Sequence, residues 1–253
     1  MSEKWQEQLV AEFIGTFALV FIGAGAVVVA GPSGSGLVGV ALAHGVVLAV
    51  MVSVLAHFSG AHFNPAVTLG VWVVRKITTP RAVLYVATQL VAGIVAAFAL
   101  KWVLPEQLWN PPGAGESLGN TTVNVSLGMT ETRAFVVEAI LTFFLVIAVF
   151  GTAVDDRGPF AKTAGLTIGL VLVFDILMGG PLTGASMNPA RSLGPALATG
   201  DLSEIWVYFA GPISGGVIAA GLYWSAFLWL RERVGQPPSK VPVEATHEEG
   251  LSD

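Results

Sequence analysis

The chain has 253 residues, 54% hydrophobic and only 11% charged, with a mean hydropathy of +0.73. Soluble domains carry about 25% charged residues, so the deficit excludes an ordinary soluble enzyme, and nothing resembles a basic face for nucleic acid. The net charge of −5 points to no partner, and the absence of cysteine excludes disulfides and thiolate metal sites.

In chain order, the charged segment Met1–Gln8 lacks a small-residue cleavage pattern, so the first span itself does the targeting. Apolar runs predict six spans: Leu9–Ala30, Leu37–His57, Val83–Leu104, Arg133–Val154, Ala161–Met178 and Ile205–Leu230. Two shorter apolar pieces, Pro65–Val74 and Pro189–Ala198, remain. As helices each reaches roughly 15 Å, half of a hydrocarbon core of about 30 Å. Half-length helices at that depth must be buried in protein or line a wet cavity. The loop Pro105–Thr132 is long and Gly-rich; its Asn120-Thr-Thr and Asn124-Val-Ser match the glycan-acceptor pattern at the level of chance. The tail from Gln236 to Asp253 is polar and acidic and is expected to be disordered.

Lys and Arg set the expected orientation. With the N-terminus inside, the inner segments hold nine of them and the outer ones two, Lys101 and Arg133, with Arg191 apart on a half-helix. Both termini are thus expected in the cytoplasm, and the protein in the plasma membrane.

The two halves repeat. Glu12-Phe-Ile-Gly-Thr-Phe17 returns as Glu138-Ala-Ile-Leu-Thr-Phe143, Asn64-Pro-Ala66 as Asn188-Pro-Ala190, and Gly93-Ile-Val-Ala-Ala97 as Gly216-Val-Ile-Ala-Ala220. An odd number of spans per half makes the second copy enter from the opposite side, so the repeat is inverted, with its site near the midplane. Asn suits an N-cap and Pro the first helical turn. Two helix N-termini then face one lumen at mid-membrane, where their positive ends oppose cations. The amides of Asn64 and Asn188 can donate to a permeating oxygen.

Ser59-Gly-Ala-His-Phe-Asn-Pro-Ala-Val-Thr68 and Thr183-Gly-Ala-Ser-Met-Asn-Pro-Ala-Arg-Ser192 resemble the two signature loops of the aquaporin, or major intrinsic protein, family. The resemblance covers about residues 8–233. It implies an all-α membrane protein: six transmembrane helices plus two re-entrant half-helices in an inverted repeat, forming a channel domain over 1–235 with repeats at about 8–104 and 133–233. It also implies a homotetramer with a pore in each subunit, conducting water or small neutral solutes through the bilayer without enzymatic activity, metal or cofactor.

By the same resemblance Arg191 is the cationic member of an outer constriction completed by His44, Ile176 and Ala185. Water-selective members usually carry Phe and His where this chain has His44 and Ile176. The set is similar to that of plant vacuolar aquaporins, and it admits ammonia or hydrogen peroxide beside water. Glycerol facilitators usually carry Asp and a basic residue where Ser192 and Ala196 stand here, and Pro and an aliphatic residue in place of Tyr208 and Phe209. Those four positions favour the water branch over a polyol facilitator. Glu12 and Glu138, buried acids at matching positions, read as struts for the backbone N–H groups of the folded-back loops, with His62 and His57 nearby in the same role. Asp175, next to Ile176, turns about 100° from the pore wall and has no partner that the sequence names.

Overall fold

The computed structural model describes residues 3–113, 115–155, 157 and 163–229, all-helical with no strand among them. Long helices are α1 (Glu3–Ser33), α2 (Gly36–Ser59), α4 (Thr79–Val103), α6 (Glu131–Val149), α7 (Ala164–Thr183) and α9 (Ile205–Tyr223). The short ones are α3 (Pro65–Val73), α5 (Glu106–Trp109) and α8 (Pro189–Thr199). Six helices are long and apolar enough to cross a membrane. The tail at 236–253 lies outside the described residues.

Span centres fall where hydropathy places them, but several ends move. The polar first turns of α1 extend the helix to Glu3, where Trp5 lies 5.6 Å beneath the Arg81 guanidinium. The helix α7 runs past Gly179-Gly-Pro181 to Thr183 and ends at Gly184 in the left-handed region. Two of its last carbonyls are taken by the loop before α6, Asn124 Nδ2 donating to Pro181 O and Asn124 N to Leu182 O, and Thr183 O accepts from Tyr208 OH. The Asn124 Nδ2 bond, with Asn120 Nδ2 on Thr199 Oγ1, also turns both candidate glycan-acceptor side chains into the protein.

Helix packing repeats the internal symmetry of the sequence. The pairs α1–α4 and α6–α9 correspond, α2 lies along α7, and each half-helix seats against the other half's helix, α3 on α9 and α8 on α4. Two glycines allow this closeness. A Cβ on Gly93 would stand 2.4 Å from Ala190 O, and one on its counterpart Gly216 would stand 2.9 Å from Ala66 O. Any larger residue at either position forces the half-helix away from its support.

The ends of α6 and α9 each widen into a π turn, Phe150–Val154 and Trp224–Leu228. One carboxylate clasps the two: Asp155 accepts from Arg157 N, Nε and Nη2 and from Tyr223 OH, while Arg157 Nη2 also reaches Phe227 O. Those Arg157 hydrogen bonds hold the Asp155 carboxyl down at about 2. A depressed carboxylate stabilises the fold above its unfolded-state pKa of about 3.9, and that contribution disappears as pH falls through the folded value. Asp155→Asn is therefore expected to lower the melting temperature by about 2–4 °C at pH 7, the equivalent of ~1 kcal/mol. The gap should close as pH approaches 2; an identical melt at pH 7 would remove the clasp.

Candidate functional site

Each re-entrant loop is built by the same local chemistry. Asn64 and Asn188 have extended backbones, and their Oδ1 atoms cap α3 and α8 by accepting from Ala66 N at 2.8 Å and Ala190 N at 3.0 Å. Ahead of them Ala61, Phe63, Ala185 and Met187 all have φ between 46° and 53°, a region that costs a non-glycine residue about 1–2 kcal/mol. In these stretches the backbone N–H groups of His62 and Phe63, and those of Ser186 and Met187, turn to a common acceptor.

Those N–H groups meet a buried carboxylate. Glu12 accepts from Ser59 Oγ at 2.6 Å, His62 N at 2.9 Å, Phe63 N at 2.7 Å and Gln89 Nε2 at 2.7 Å. Glu138 accepts from Thr183 Oγ1 at 2.7 Å, Ser186 N at 2.9 Å and Met187 N at 2.8 Å. Both side chains are fully buried. The two histidines near the first loop part company: His62 Nδ1 bonds Thr68 Oγ1 at 3.0 Å, whereas His57 is exposed beside Phe58.

The two loops then exchange bonds. Asn64 Nδ2 donates to Met187 O at 2.8 Å, and Asn188 Nδ2 donates to Phe63 O at 2.9 Å. With Oδ1 held by a helix cap and one amide hydrogen held by the opposite loop, each Asn keeps one N–H free to donate. Both line a central cavity in which the centre of a water-sized sphere has about 30 Å³, room for roughly two waters. Its lining includes apolar residues such as Leu48, Val67 and Leu172 together with the two Asn and the loop residues Ala185, Ser186 and Met187.

At its outer end the cavity meets a vestibule of about 670 Å³, and Ile176 and Arg191 line both spaces, which makes them the neck. Arg191 Nη1 donates to Gly119 O at 2.6 Å, and Nη2 lies 3.5 Å from His44 Nε2. His44 Nδ1 faces Val40 O at 2.9 Å. That carbonyl can only accept, so Nδ1 carries the proton and Nε2 is left to accept from the guanidinium. Ala185 lies in the same wall, so the structure brings together all four residues of the expected constriction. Asp175 is buried on α7 away from the pore lining, and its Oδ2 has no hydrogen-bond partner among the described residues.

Several contributors escape sequence reasoning. Gly119 acts through its carbonyl, which no side chain announces. A buried hydroxyl chain, Thr121 to Ser192 to Ser186 with both links at 2.6 Å, ends on Asn188 O at 2.9 Å. The one legible signal is the repeat-related pair Ser59 and Thr183, hydroxyls just before each loop glycine that both bond the local carboxylate.

Comparison with known proteins agrees with this architecture. The family model described as major intrinsic protein matches residues 1–223. Aquaporin TIP4-4 of Zea mays is 42% identical over 227 residues, covering 87% of this chain and 86% of the relative. Aquaporin TIP2-1 of Arabidopsis thaliana is 40% identical over 232 residues, covering 88% of each. Among solved structures, the aquaglyceroporin from Plasmodium falciparum superposes with a TM-score of 0.80 at 26% identity, covering 90% of this chain and 99% of that one. Helices that span, half-helices that meet end to end, and kinship over nearly the whole length lead to one conclusion: the chain belongs to the major intrinsic protein family of membrane channels and is not an enzyme.

Proposed function

We propose that the channel conducts water in single file down osmotic gradients and excludes protons and ions, with Arg191, His44, Ile176 and Ala185 as its filter. The observation that carries this is the pair of Asn amides, each with a single N–H left to donate inside a cavity that has room for only a couple of waters. A water accepting from both turns its own hydrogens outward, which breaks a chain of proton transfer. The positive ends of α3 and α8 oppose cations beside the Asn amides, and the Arg191 charge opposes them again at the neck. Ile176 presents no hydrogen-bonding wall, so ammonia and hydrogen peroxide belong with water among the proposed solutes.

The structural likeness to an aquaglyceroporin favours a second reading, a facilitator of glycerol or small polyols. Ser192 speaks against it. Its hydroxyl is committed to Thr121 and Ser186 in a buried chain, where facilitators usually carry Asp. Residues 1–235 form the proposed channel, as a homotetramer with both termini in the cytoplasm. The plasma membrane is the proposed location, with a vacuolar membrane as the alternative that the TIP-type relatives bring.

Stopped-flow light scattering on proteoliposomes tests the reading. Osmotic water flux is expected to exceed that of empty liposomes about ten-fold or more, with glycerol uptake near background and ammonia uptake above it. Glycerol uptake as fast as water equilibration would move the protein to the facilitator reading. Water flux equal to empty liposomes, from folded protein, would end the proposal.

A further inference from the structure

The buried hydroxyls of Thr121, Ser192 and Ser186 stand in series, and the end of the series fixes the order of their protons. Ser186 Oγ lies 2.9 Å from Asn188 O. A carbonyl brings no proton, so Ser186 is the donor there. Each hydroxyl has a single proton to give. With that of Ser186 spent, the 2.6 Å contact to Ser192 takes the proton of Ser192. The 2.6 Å contact between Ser192 and Thr121 then takes the proton of Thr121. All of them point one way, from the outer loop toward Asn188. At that end one hydroxyl holds both polar groups of the Asn188 backbone, since Ser186 Oγ also accepts from Asn188 N at 3.3 Å.

Thr121 is held firmly, whereas Ser192 has an alternative. The two residues before Thr121 are tied to α8, Gly119 O accepting from Arg191 Nη1 and Asn120 Nδ2 donating to Thr199 Oγ1. Behind them a Cβ on Gly119 would stand 2.4 Å from Ala24 O, so this stretch lies flat on α1. Ser192 comes four residues after Asn188, and a helical serine readily donates back to the carbonyl four residues earlier. That carbonyl is the one Ser186 uses. By donating to Ser192, Thr121 turns the Ser192 proton to Ser186 instead.

We propose that Thr121 is a positioning residue for proton exclusion: it keeps the Asn188 carbonyl for Ser186, and so holds the Asn188 amide in register for donation to passing water. Thr121 lines neither the central cavity nor the vestibule, so it acts through Ser192 and Ser186 alone. Without its hydroxyl, Ser192 folds back onto Asn188 O. Ser186 then loses its donor and its acceptor together, and the backbone beneath the Asn188 amide loosens. The inference rests on the proton-blocking role proposed above for the Asn pair.

The test places Thr121→Val and Thr121→Ser in the native chain and in Ser192→Ala. Valine keeps the shape and loses the hydroxyl, and serine keeps the hydroxyl. Each protein is reconstituted for osmotic water flux and for proton leak with an internal pH dye, and its thermal unfolding is recorded in detergent. Thr121→Val should raise proton leak about five-fold, the size of one net hydrogen bond. Its water flux should stay within about two-fold of native, and it should melt about 2–4 °C lower. Thr121→Ser should match the native channel throughout. In Ser192→Ala, Thr121→Val should change neither leak nor melting, because the hydroxyl it would release is gone.

Three results would overturn the proposal. One is a Thr121→Val channel as tight to protons as the native one, and another is a Thr121→Ser channel as leaky as the valine variant. The third is an equal effect of valine with and without Ser192, which would make Thr121 a packing residue only. Native vesicles that leak protons freely would instead sink the functional reading. Thermal unfolding of the same set would then still decide the hydroxyl order, since an equal drop in both backgrounds rules it out.

Discussion

Replacing Glu138 with alanine is expected to leave almost no folded, conducting protein. Three donors lose their acceptor at once: Thr183 Oγ1, Ser186 N and Met187 N. Each buried orphan costs about 1–3 kcal/mol, against a total stability on the order of 5–15 kcal/mol. The loss falls on residues whose strained backbone stays in place only because the carboxylate holds it. Glu138→Gln should behave differently. Its amide oxygen can keep the two bonds that Oε1 accepts, from Thr183 and Ser186, but its NH₂ then faces Met187 N–H. One orphan remains, and a folded channel with reduced thermal stability and slower water flux is expected. Yield, thermal unfolding by tryptophan fluorescence and stopped-flow flux would separate the three proteins. An alanine variant that conducts like the native channel would show that the strut is dispensable. The parallel substitution at Glu12 strips four donors and should be at least as damaging.

Arg191→Val should give the opposite pattern, a folded protein that conducts too freely. Valine already stands at the repeat-related position, Val67, so the helix accepts it. Of the groups that lose a partner, His44 Nε2 belongs to a residue lining the central cavity, where water can replace the guanidinium, and Gly119 O is left as a single buried acceptor. What disappears is the bulk and charge at the neck shared with Ile176. Water flux is expected to stay within about two-fold of native. Glycerol uptake should rise about ten-fold, a barrier lower by ~1.4 kcal/mol, and proton leak measured with an internal pH dye should rise with it. Unchanged glycerol and proton permeability would take Arg191 out of the filter.

Much of this was legible because the repeat marks its own important residues. Glu12 and Glu138, or Asn64 and Asn188, keep register across half the chain, and Arg191 stands out because its counterpart is Val67. Span centres were legible from hydropathy alone. Span ends were not, because polar turns of α1 extend a helix that hydropathy no longer registers, and because Asn124 satisfies two of the carbonyls at the end of α7. Gly119, the Thr121–Ser192–Ser186 chain and the Asp155 clasp stayed hidden for related reasons. The first acts through a backbone carbonyl, the second through small hydroxyls whose partners are distant in sequence, and the third joins α6 to α9 through partners such as Tyr223, 68 residues from Asp155. Asp175 keeps a buried oxygen without a described partner, and nothing in the structure explains it.

The reciprocal bonds between the Asn amides and the opposite loops carry a consequence for biogenesis. Phe63 O receives its hydrogen bond from residue 188, and the amide of Asn64 finds its acceptor at residue 187. Gly93 and Gly216 likewise each support the half-helix of the other repeat. During synthesis, then, the first half can enter the bilayer as spans but cannot settle its own re-entrant loop. That loop must wait, unsatisfied, until more than a hundred further residues have left the ribosome. The last step of assembly is therefore a single joint closure of both halves, and a chain interrupted between them would hold two incomplete loops, not half of a working passage.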